Sequence, residues 1–188
     1  MTRIIAGVYG GRQISTPKGD GTRPTSDRVR EAMFSSLESE LGGFDDLRVL
    51  DLFAGSGALG LESLSRGAVH ATFVESDSRA ASVIKANVRD LGVPDAAVVR
   101  TSASAYAEQD VHPRFDLVFL DPPYAVATDL VRGLVAKLAV GLGAGALFVV
   151  ERSTRDPFTW PESIQSLRDK RYGETTVWYG RALVESPT

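Results

Sequence analysis

Apolar residues recur along this chain in short runs separated by longer segments with helical spacing. The runs are rich in branched and aromatic residues, which is typical of buried strands. They cover residues 48–52, 71–74, 97–100, 115–120 and 146–150. Helices are predicted between them, one ending near residue 66, one over 78–91 and one from about 127 to 140. Strands that alternate with helices predict one α/β domain built on an open sheet.

The C-terminal part departs from this alternation. Residues 170–179 combine aromatic and branched residues around Gly173-Glu174, which predicts a hairpin that ends the sheet antiparallel. With no repeat, low-complexity tract or linker in the sequence, this hairpin belongs to the same domain.

The N-terminal part carries a different pattern. Residues 1–16 predict a hairpin that turns at Gly10-Gly11, because paired glycines permit the positive φ angles of a tight turn. A loop over 17–25 leads to a helix that Thr25 or Ser26 caps and that ends near Glu40. We therefore treat residues 1–43, called here the N-terminal arm, as an appendage to an α/β domain of residues 44–188.

A glycine-rich loop follows the first predicted core strand. Gly55, Gly57 and Gly60 have the spacing of a dinucleotide fingerprint, which several classes of nucleotide-binding protein share. In the dinucleotide version the loop cradles a pyrophosphate, and Asp51, four residues before Gly55, would repel one. An acid suits a cationic ligand, so the loop favours S-adenosylmethionine, with its ammonium and sulfonium groups, over NAD.

Two more polar residues follow the next two strands. Glu75 ends the strand after the glycine loop, where a carboxylate recurrently accepts both hydroxyls of a ribose. Ser102 follows the third strand and is a candidate contact to the adenine edge. A plain surface glutamate is the alternative for Glu75.

The fourth strand ends in Asp121-Pro122-Pro123-Tyr124. Two prolines cannot continue a sheet ladder, so Asp121 is expected at the carboxyl end of its strand, where open α/β sheets bind ligands. Prolines restrict the backbone, so the Asp121 carboxylate and the Pro122 carbonyl are expected to be two rigid acceptors beside the Tyr124 ring. That arrangement suits a flat base with an exocyclic amine.

Composition narrows the chemistry. The chain has 188 residues, no cysteine and two histidines, which excludes disulfides and thiol nucleophiles and argues against a metal site. Met1 is not followed by the apolar core of a signal peptide and no run reaches membrane-spanning length, so we expect a cytoplasmic protein.

Charge is unevenly distributed. The net charge is -3, but residues 1–30 hold six basic and two acidic side chains, so the remainder carries -7. A basic arm on an acidic body suits contact with phosphate. A solvated charged surface is the alternative for the arm, and an intrahelical pair with Glu31 is the alternative for Arg28. The candidate RNA-binding residues are Arg12, Arg23, Arg28 and Arg30.

Two stretches together carry a family resemblance. Val49-Leu50-Asp51-Leu52-Phe53-Ala54-Gly55-Ser56-Gly57 and Asp121-Pro122-Pro123-Tyr124 resemble the cofactor and catalytic motifs of class I amino-methyltransferases. The stretches Arg3-Ile4-Ile5-Ala6-Gly7, Gly11-Arg12, Arg23-Pro24-Thr25, Asp27-Arg28-Val29-Arg30-Glu31 and Tyr172-Gly173-Glu174-Thr175 narrow the resemblance to the RsmD family.

The resemblance implies a Rossmann-like fold, with a seven-stranded, mostly parallel sheet whose last strand is antiparallel. It implies S-adenosylmethionine-dependent methylation of guanine N2 in 16S ribosomal RNA, the family target being guanine 966. The substrate would be RNA in the small ribosomal subunit or its assembly intermediate, and we expect a monomer without metal or membrane attachment. The implied catalytic residues are Asp121, Pro122, Pro123 and Tyr124; the implied cofactor-binding residues are Asp51, Phe53, Ala54, Gly55, Ser56, Gly57, Glu75, Ser102 and Asp121.

Rival functions differ in what they require. A DNA adenine or cytosine amino-methyltransferase shares the four-residue catalytic motif but usually has a target-reading part larger than the arm. A protein glutamine methyltransferase would be expected to carry Asn at position 121. An NAD-dependent oxidoreductase would need a substrate domain, and an RNA-binding module without catalysis would not need Asp121.

Overall fold

The computed structural model describes residues 1–18 and 26–183. The strands are β1 (Thr2–Arg3), β2 (Gln13–Ile14), β3 (Arg48–Asp51), β4 (His70–Glu75), β5 (Ala96–Arg100), β6 (Leu117–Leu120), β7 (Leu147–Ser153), β8 (Ile164–Tyr172) and β9 (Thr175–Ala182). The helices are α1 (Asp27–Leu41), α2 (Ala58–Ser65), α3 (Ser78–Leu91), α4 (Ala103–Ala107) and α5 (Thr128–Leu142).

Seven strands form the main sheet in the order β5-β4-β3-β6-β7-β9-β8. Strands β3 to β7 pair in parallel, and β9 runs antiparallel to both β7 and β8. The expected mostly parallel sheet with its last strand reversed is therefore confirmed. The strand order reverses between β3 and β6, so their carboxyl ends flank the crevice in which open α/β sheets bind ligands.

Both faces of the sheet are covered, because successive side chains of a strand point to opposite faces. Val49 lies in a buried cluster with apolar residues of α1, α2 and α3. Its neighbour Leu50 lies in a second cluster with residues of α4 and α5. The runs of branched and aromatic residues in the sequence are therefore strands that are buried on both faces of the sheet.

Helix ends follow their capping residues. The Asp77 side chain accepts from the Ala80 amide at the start of α3, and Gly92 ends this helix with φ 68°, so the predicted span 78–91 is confirmed. Ser26 caps α1 by accepting from the Val29 amide. The other capping candidate, Thr25, lies outside the described residues. Helix α4 was not predicted, because five residues are too few to show helical periodicity.

The N-terminal hairpin forms, but its predicted turn is wrong. Each strand has two residues, and the chain between them makes a wider turn with positive φ at Gly7 and Gly11 rather than at Gly10. A Cβ on Gly7 would lie 1.9 Å from the Ser65 carbonyl oxygen of α2. Contact with α2 therefore decides the shape of this turn. The boundary at residue 43 stays a prediction.

Within residues 1–18 and 26–183, no helix combines the length and the apolar character needed to span a membrane. The same ranges contain no group of three or more acidic or histidine side chains that could hold a metal ion.

Candidate active site

The glycine loop places one buried carboxylate at the end of β3. Asp51 is 1% exposed, and its Oδ2 accepts from the Gly60 amide at 3.1 Å. Its Oδ1 has no hydrogen-bond partner within the described part of the chain. Burial of an ionised carboxylate without a partner is costly, so Oδ1 lacks the donor that a bound ligand would supply.

The pKa of Asp51 is raised to about 7, mainly by burial and to a smaller extent by the charges of Asp121 and Glu75, while the Gly60 hydrogen bond lowers it. Asp51 and Glu75 are the last residues of β3 and β4, and Asp121 follows the adjacent strand β6. We call this edge of the sheet, at the carboxyl ends of the three strands, the rim. The negative charges of the three acids repel one another, so the rim attracts a cation.

Glu75 supports the loop from the end of β4. Its Oε2 accepts from the Gly55 amide at 2.8 Å, and its Oε1 accepts from the Asp77 amide at 3.1 Å. A carboxylate has about four acceptor positions, so both oxygens can still accept from hydroxyl groups. A Cβ on Gly55 would meet no described atom within 4 Å, so the loop borders open space here.

Hydrogen bonds and one positive φ angle fix the backbone of the other glycine-loop residues. Ala54 donates its amide to the Val74 carbonyl at 3.0 Å and accepts from the Gly57 amide at 2.7 Å. Gly57 has φ 84° and is the N-cap residue directly before α2. The Ser56 carbonyl accepts from the Asn87 side chain at 3.0 Å.

A pocket of about 190 Å³ lies beside Glu75. Phe53 and Ser102 line it, as do two residues that were not predicted, Val126 and Leu130. The Ser102 hydroxyl also caps α4, because it accepts from the Ala105 amide at 3.0 Å. The walls are mostly apolar with a few polar groups, which is typical of a site for a flat heterocycle.

Asp121 comes directly after β6, as predicted. Pro122 is buried, whereas Pro123 is exposed and its carbonyl accepts from the Val126 amide at 3.0 Å. Tyr124 is 38% exposed. Its hydroxyl is 2.9 Å from the Thr175 hydroxyl at the start of β9. The motif and the C-terminal hairpin thus meet at the same rim.

The arm differs from its prediction at Arg30. This side chain is 2% exposed, so it offers almost no surface to a phosphate. It donates to the Arg3 carbonyl at 2.7 Å, to Thr2 Oγ1 at 3.2 Å and to Asp27 at 2.9 Å. Arg30 as an RNA contact is therefore wrong: it joins β1 to α1.

The other predicted arm residues have different surroundings. Arg12 is exposed, but it donates to the Asp90 carbonyl at 2.8 Å at the end of α3. Arg28 is exposed on α1. Arg23 lies outside the described residues. RNA binding by Arg12, Arg23 and Arg28 stays a prediction.

Buried polar groups dock the arm beside the cofactor loop. Glu62 of α2 is 0% exposed and accepts from the amides of Ile5 and Ala6 at 2.8 and 3.1 Å. Asn87 accepts from the Ser15 amide at 2.9 Å while donating to the Ser15 and Ser56 carbonyls. Glu62 and Asn87 lie on predicted helices, and their positions in the sequence do not indicate that they bind the arm.

The orphaned Asp51 oxygen, the open space at Gly55 and the apolar pocket beside Glu75 fit a cationic nucleoside such as S-adenosylmethionine. The sheet order and the acid-flanked glycine loop define the fold class: it is the Rossmann-like fold of class I methyltransferases.

Comparisons identify the family. The family model described as "Conserved hypothetical protein 95" matches residues 2–181. Ribosomal RNA small subunit methyltransferase D of Haemophilus influenzae is 37% identical over 176 residues, which are 91% of this chain and 89% of that protein. This chain belongs to the ribosomal RNA small subunit methyltransferase D family, the RsmD family of the predicted resemblance.

Solved structures agree with this fold. The structure of yhhF from Escherichia coli has a TM-score of 0.84 and 34% identity, covering 98% of this chain and 99% of that one. An RNA methyltransferase from Salinibacter ruber, in complex with S-adenosyl-L-homocysteine, has a TM-score of 0.67 and 18% identity, covering 88% and 97%. At that identity the second likeness concerns the fold.

Proposed function

We propose that this chain transfers a methyl group from S-adenosylmethionine to the exocyclic N2 amine of a guanine in 16S ribosomal RNA. The observation that carries the proposal is the rim of three acids, Asp51, Glu75 and Asp121, around an open glycine loop. A negative rim with an unsatisfied buried oxygen favours a cationic methyl donor over a dinucleotide with a pyrophosphate.

Asp51 and the glycine-loop residues Ala54 to Gly57 would hold the amino acid end of the cofactor. Glu75 would accept from the ribose hydroxyls, and the pocket lined by Phe53 and Ser102 would take the adenine. When bound, the cofactor supplies an electrophilic methyl on a positively charged sulfur. The chain excludes water from it with the apolar pocket walls and orients it through fixed acids.

Asp121 and the Pro122 carbonyl would accept hydrogen bonds from the two N–H groups of the target amine. An amine on a base is a poor nucleophile because its lone pair is delocalised into the ring. Two acceptors would pull the nitrogen toward tetrahedral geometry and so localise the lone pair. Tyr124, which is partly exposed beside them, would stack on the base after it leaves its helix.

The substrate assignment rests on the family. The Haemophilus relative is named as a methyltransferase of small-subunit ribosomal RNA, and the resemblance extends the assignment to guanine N2 and position 966. Ribosomal RNA in the small subunit or its assembly intermediate would place this chain in the cytoplasm, acting as a monomer.

Transfer of labelled methyl from S-adenosylmethionine tests the proposal. The acceptors are naked 16S RNA, small subunits from a strain lacking its own enzyme of this family, and duplex DNA, followed by nucleoside analysis. Labelled N2-methylguanosine from RNA or subunits is the expected product. Label in DNA adenine or cytosine would instead support the DNA amino-methyltransferase alternative, and binding of NAD with no S-adenosylmethionine binding would support an oxidoreductase.

A further inference from the structure

Arg152 lies near the end of β7, and its side chain is 1% exposed. Its guanidinium donates to the Val126 carbonyl at 2.7 Å and to Thr128 Oγ1 at 3.1 Å. A longer contact of 3.5 Å reaches the Pro123 carbonyl. One side chain therefore spans the link between the catalytic motif and α5.

Burial of a guanidinium is costly unless its N–H groups are paired. Residues 121–127 belong to no helix or strand. The Pro123 and Ala127 carbonyls accept from the backbone amides of Val126 and Val131, whereas the Val126 carbonyl has the Arg152 guanidinium as its donor. A planar fork of five N–H groups on three nitrogens can serve acceptors that lie well apart, whereas a lysine has three N–H groups on a single nitrogen. Asp156 completes the arrangement, because it accepts from both Arg152 and Thr128.

This link carries parts of two sites. Tyr124, which would face the target base, precedes the Val126 carbonyl that Arg152 binds. Val126, with Leu130 in the first turn of α5, lines the pocket beside Glu75. Displacement of the link would move the base-facing ring and the adenine-facing wall together.

We infer that Arg152 is a positioning residue that holds the target-base motif and the adenine wall in register through one buried guanidinium. The inference rests on the proposed function. It predicts that loss of the guanidinium weakens cofactor binding and slows methyl transfer in parallel, although Arg152 is not placed in contact with either ligand.

The test compares Arg152→Met and Arg152→Lys with the wild type. Calorimetry measures affinity for S-adenosylhomocysteine and for adenosine, and single-turnover kinetics measure transfer at saturating cofactor. We expect Arg152→Met to lose about tenfold in affinity for both ligands and about 10- to 100-fold in rate, since misplacement by about 1 Å can cost about 100-fold. Arg152→Lys should recover part of both losses, because its ammonium restores the positive charge and up to three N–H donors on one nitrogen.

Arg181→Met is the matched control. Arg181 also lies in the sheet and also binds a loop carbonyl, of Gly145 at 3.1 Å, and a carboxylate, of Glu40 at 2.9 Å. It does so beside Leu147 at the amino end of β7, away from the carboxyl ends of the strands where the site lies. Ligand affinity and rate should therefore stay within about twofold of the wild type.

If Arg152→Met does not fold, Asp156→Ala takes its place. The Asp156 side chain is 55% exposed, so its removal takes an acceptor from Arg152 and Thr128 without leaving a cavity in the core. A folded variant with wild-type affinity and rate would overturn the inference, as would a loss for S-adenosylhomocysteine without an equal loss for adenosine. Wild-type protein that binds neither ligand would instead refute the proposed function.

Discussion

The rim at the carboxyl ends of β3, β4 and β6 and the N-terminal arm treat their charges in opposite ways. At the rim, Asp51 is buried with one oxygen that has no partner among the described residues, and burial, followed by the neighbouring acids, raises its pKa. In the arm, Arg30 is equally buried but donates to three acceptors, while Arg3 pairs with Asp27 at 2.9 Å. The rim therefore keeps a buried carboxylate oxygen that a cationic ligand can pair with, whereas Arg3 and Arg30 of the arm are already paired within the chain.

The number of charges along a sequence therefore does not give the number of charged groups that are exposed at the surface. The first thirty residues carry net +4, yet Arg30 joins two elements and Arg12 donates to carbonyls at the end of α3. Cations at a helix C-terminus complement the helix dipole. Arg28 is the predicted contact that the described structure leaves exposed on the arm without these tasks.

The largest expected effect is at the rim. Asp121→Ala should slow single-turnover methyl transfer by at least about 100-fold, because the acid is proposed to meet the amine. Cofactor affinity should stay within a few fold. Asp129→Ala, which removes an exposed acid from the first turn of α5, is the control. A variant that keeps a tenth of the wild-type rate would make Asp121 a structural residue.

Asp51→Asn tests whether the ionised Asp51 carboxylate destabilises the protein in the absence of a ligand. The folded protein keeps a proton on Asp51 up to pH of about 7, whereas the unfolded chain loses it near 3.8, so stability falls as pH rises between these values. The neutral amide should therefore raise the free energy of unfolding at pH 8 by about 2–4 kcal/mol, with little gain near pH 4. Denaturation at both pH values measures this.

The same substitution should weaken S-adenosylmethionine binding, because a cationic ligand favours the ionised acid. Wild-type affinity should accordingly rise between pH 6 and 8, with proton release detectable from calorimetry in buffers of different ionisation enthalpy. Wild-type stability that does not change over pH 5 to 8, together with unchanged affinity in Asp51→Asn, would show that the Asp51 charge neither destabilises the free protein nor contributes to cofactor binding.

Arg30→Met addresses the arm. Because it leaves the Arg3 carbonyl and Thr2 without their donor, the free energy of unfolding should fall by about 2–4 kcal/mol. Arg28→Met, on the exposed side of the same helix, should change it by less than about 0.5 kcal/mol. Urea denaturation compares the two. Equal stabilities would mean that the Arg30 contacts contribute nothing net.

The smallest expected effect is at Arg28. If its side chain contacts a phosphate, Arg28→Gln should reduce the slope of log RNA affinity against log salt by about 0.7 to 0.9. Arg89→Gln removes the same charge from an exposed site on α3 and should leave the slope unchanged. Equal slopes in both variants would place RNA recognition elsewhere, with Tyr124 and the C-terminal hairpin as the next region to test.

The sheet, the glycine loop and the acids at the strand ends could be predicted from the pattern of residues along the chain. These features follow from local rules, since a run of branched residues buries on both faces and a following polar residue must lie at the edge of the sheet. Asp51, Glu75 and Asp121 could be placed in this way. Arg152 gave a similar signal, a charged residue near the end of an apolar strand, but its partners lie 24 to 29 residues away.

Which polar side chains form hydrogen bonds within the chain depends on how its segments pack together. The Arg30 guanidinium is buried because β1 folds back on α1, and the Asn87 amide bridges Ser15 to the cofactor loop because the hairpin docks beside α3. Hydrogen bonds between residues far apart in sequence follow no periodicity, so residue spacing cannot reveal them. Whether a charge is exposed for a partner or buried with one depends on chain segments that meet only after folding.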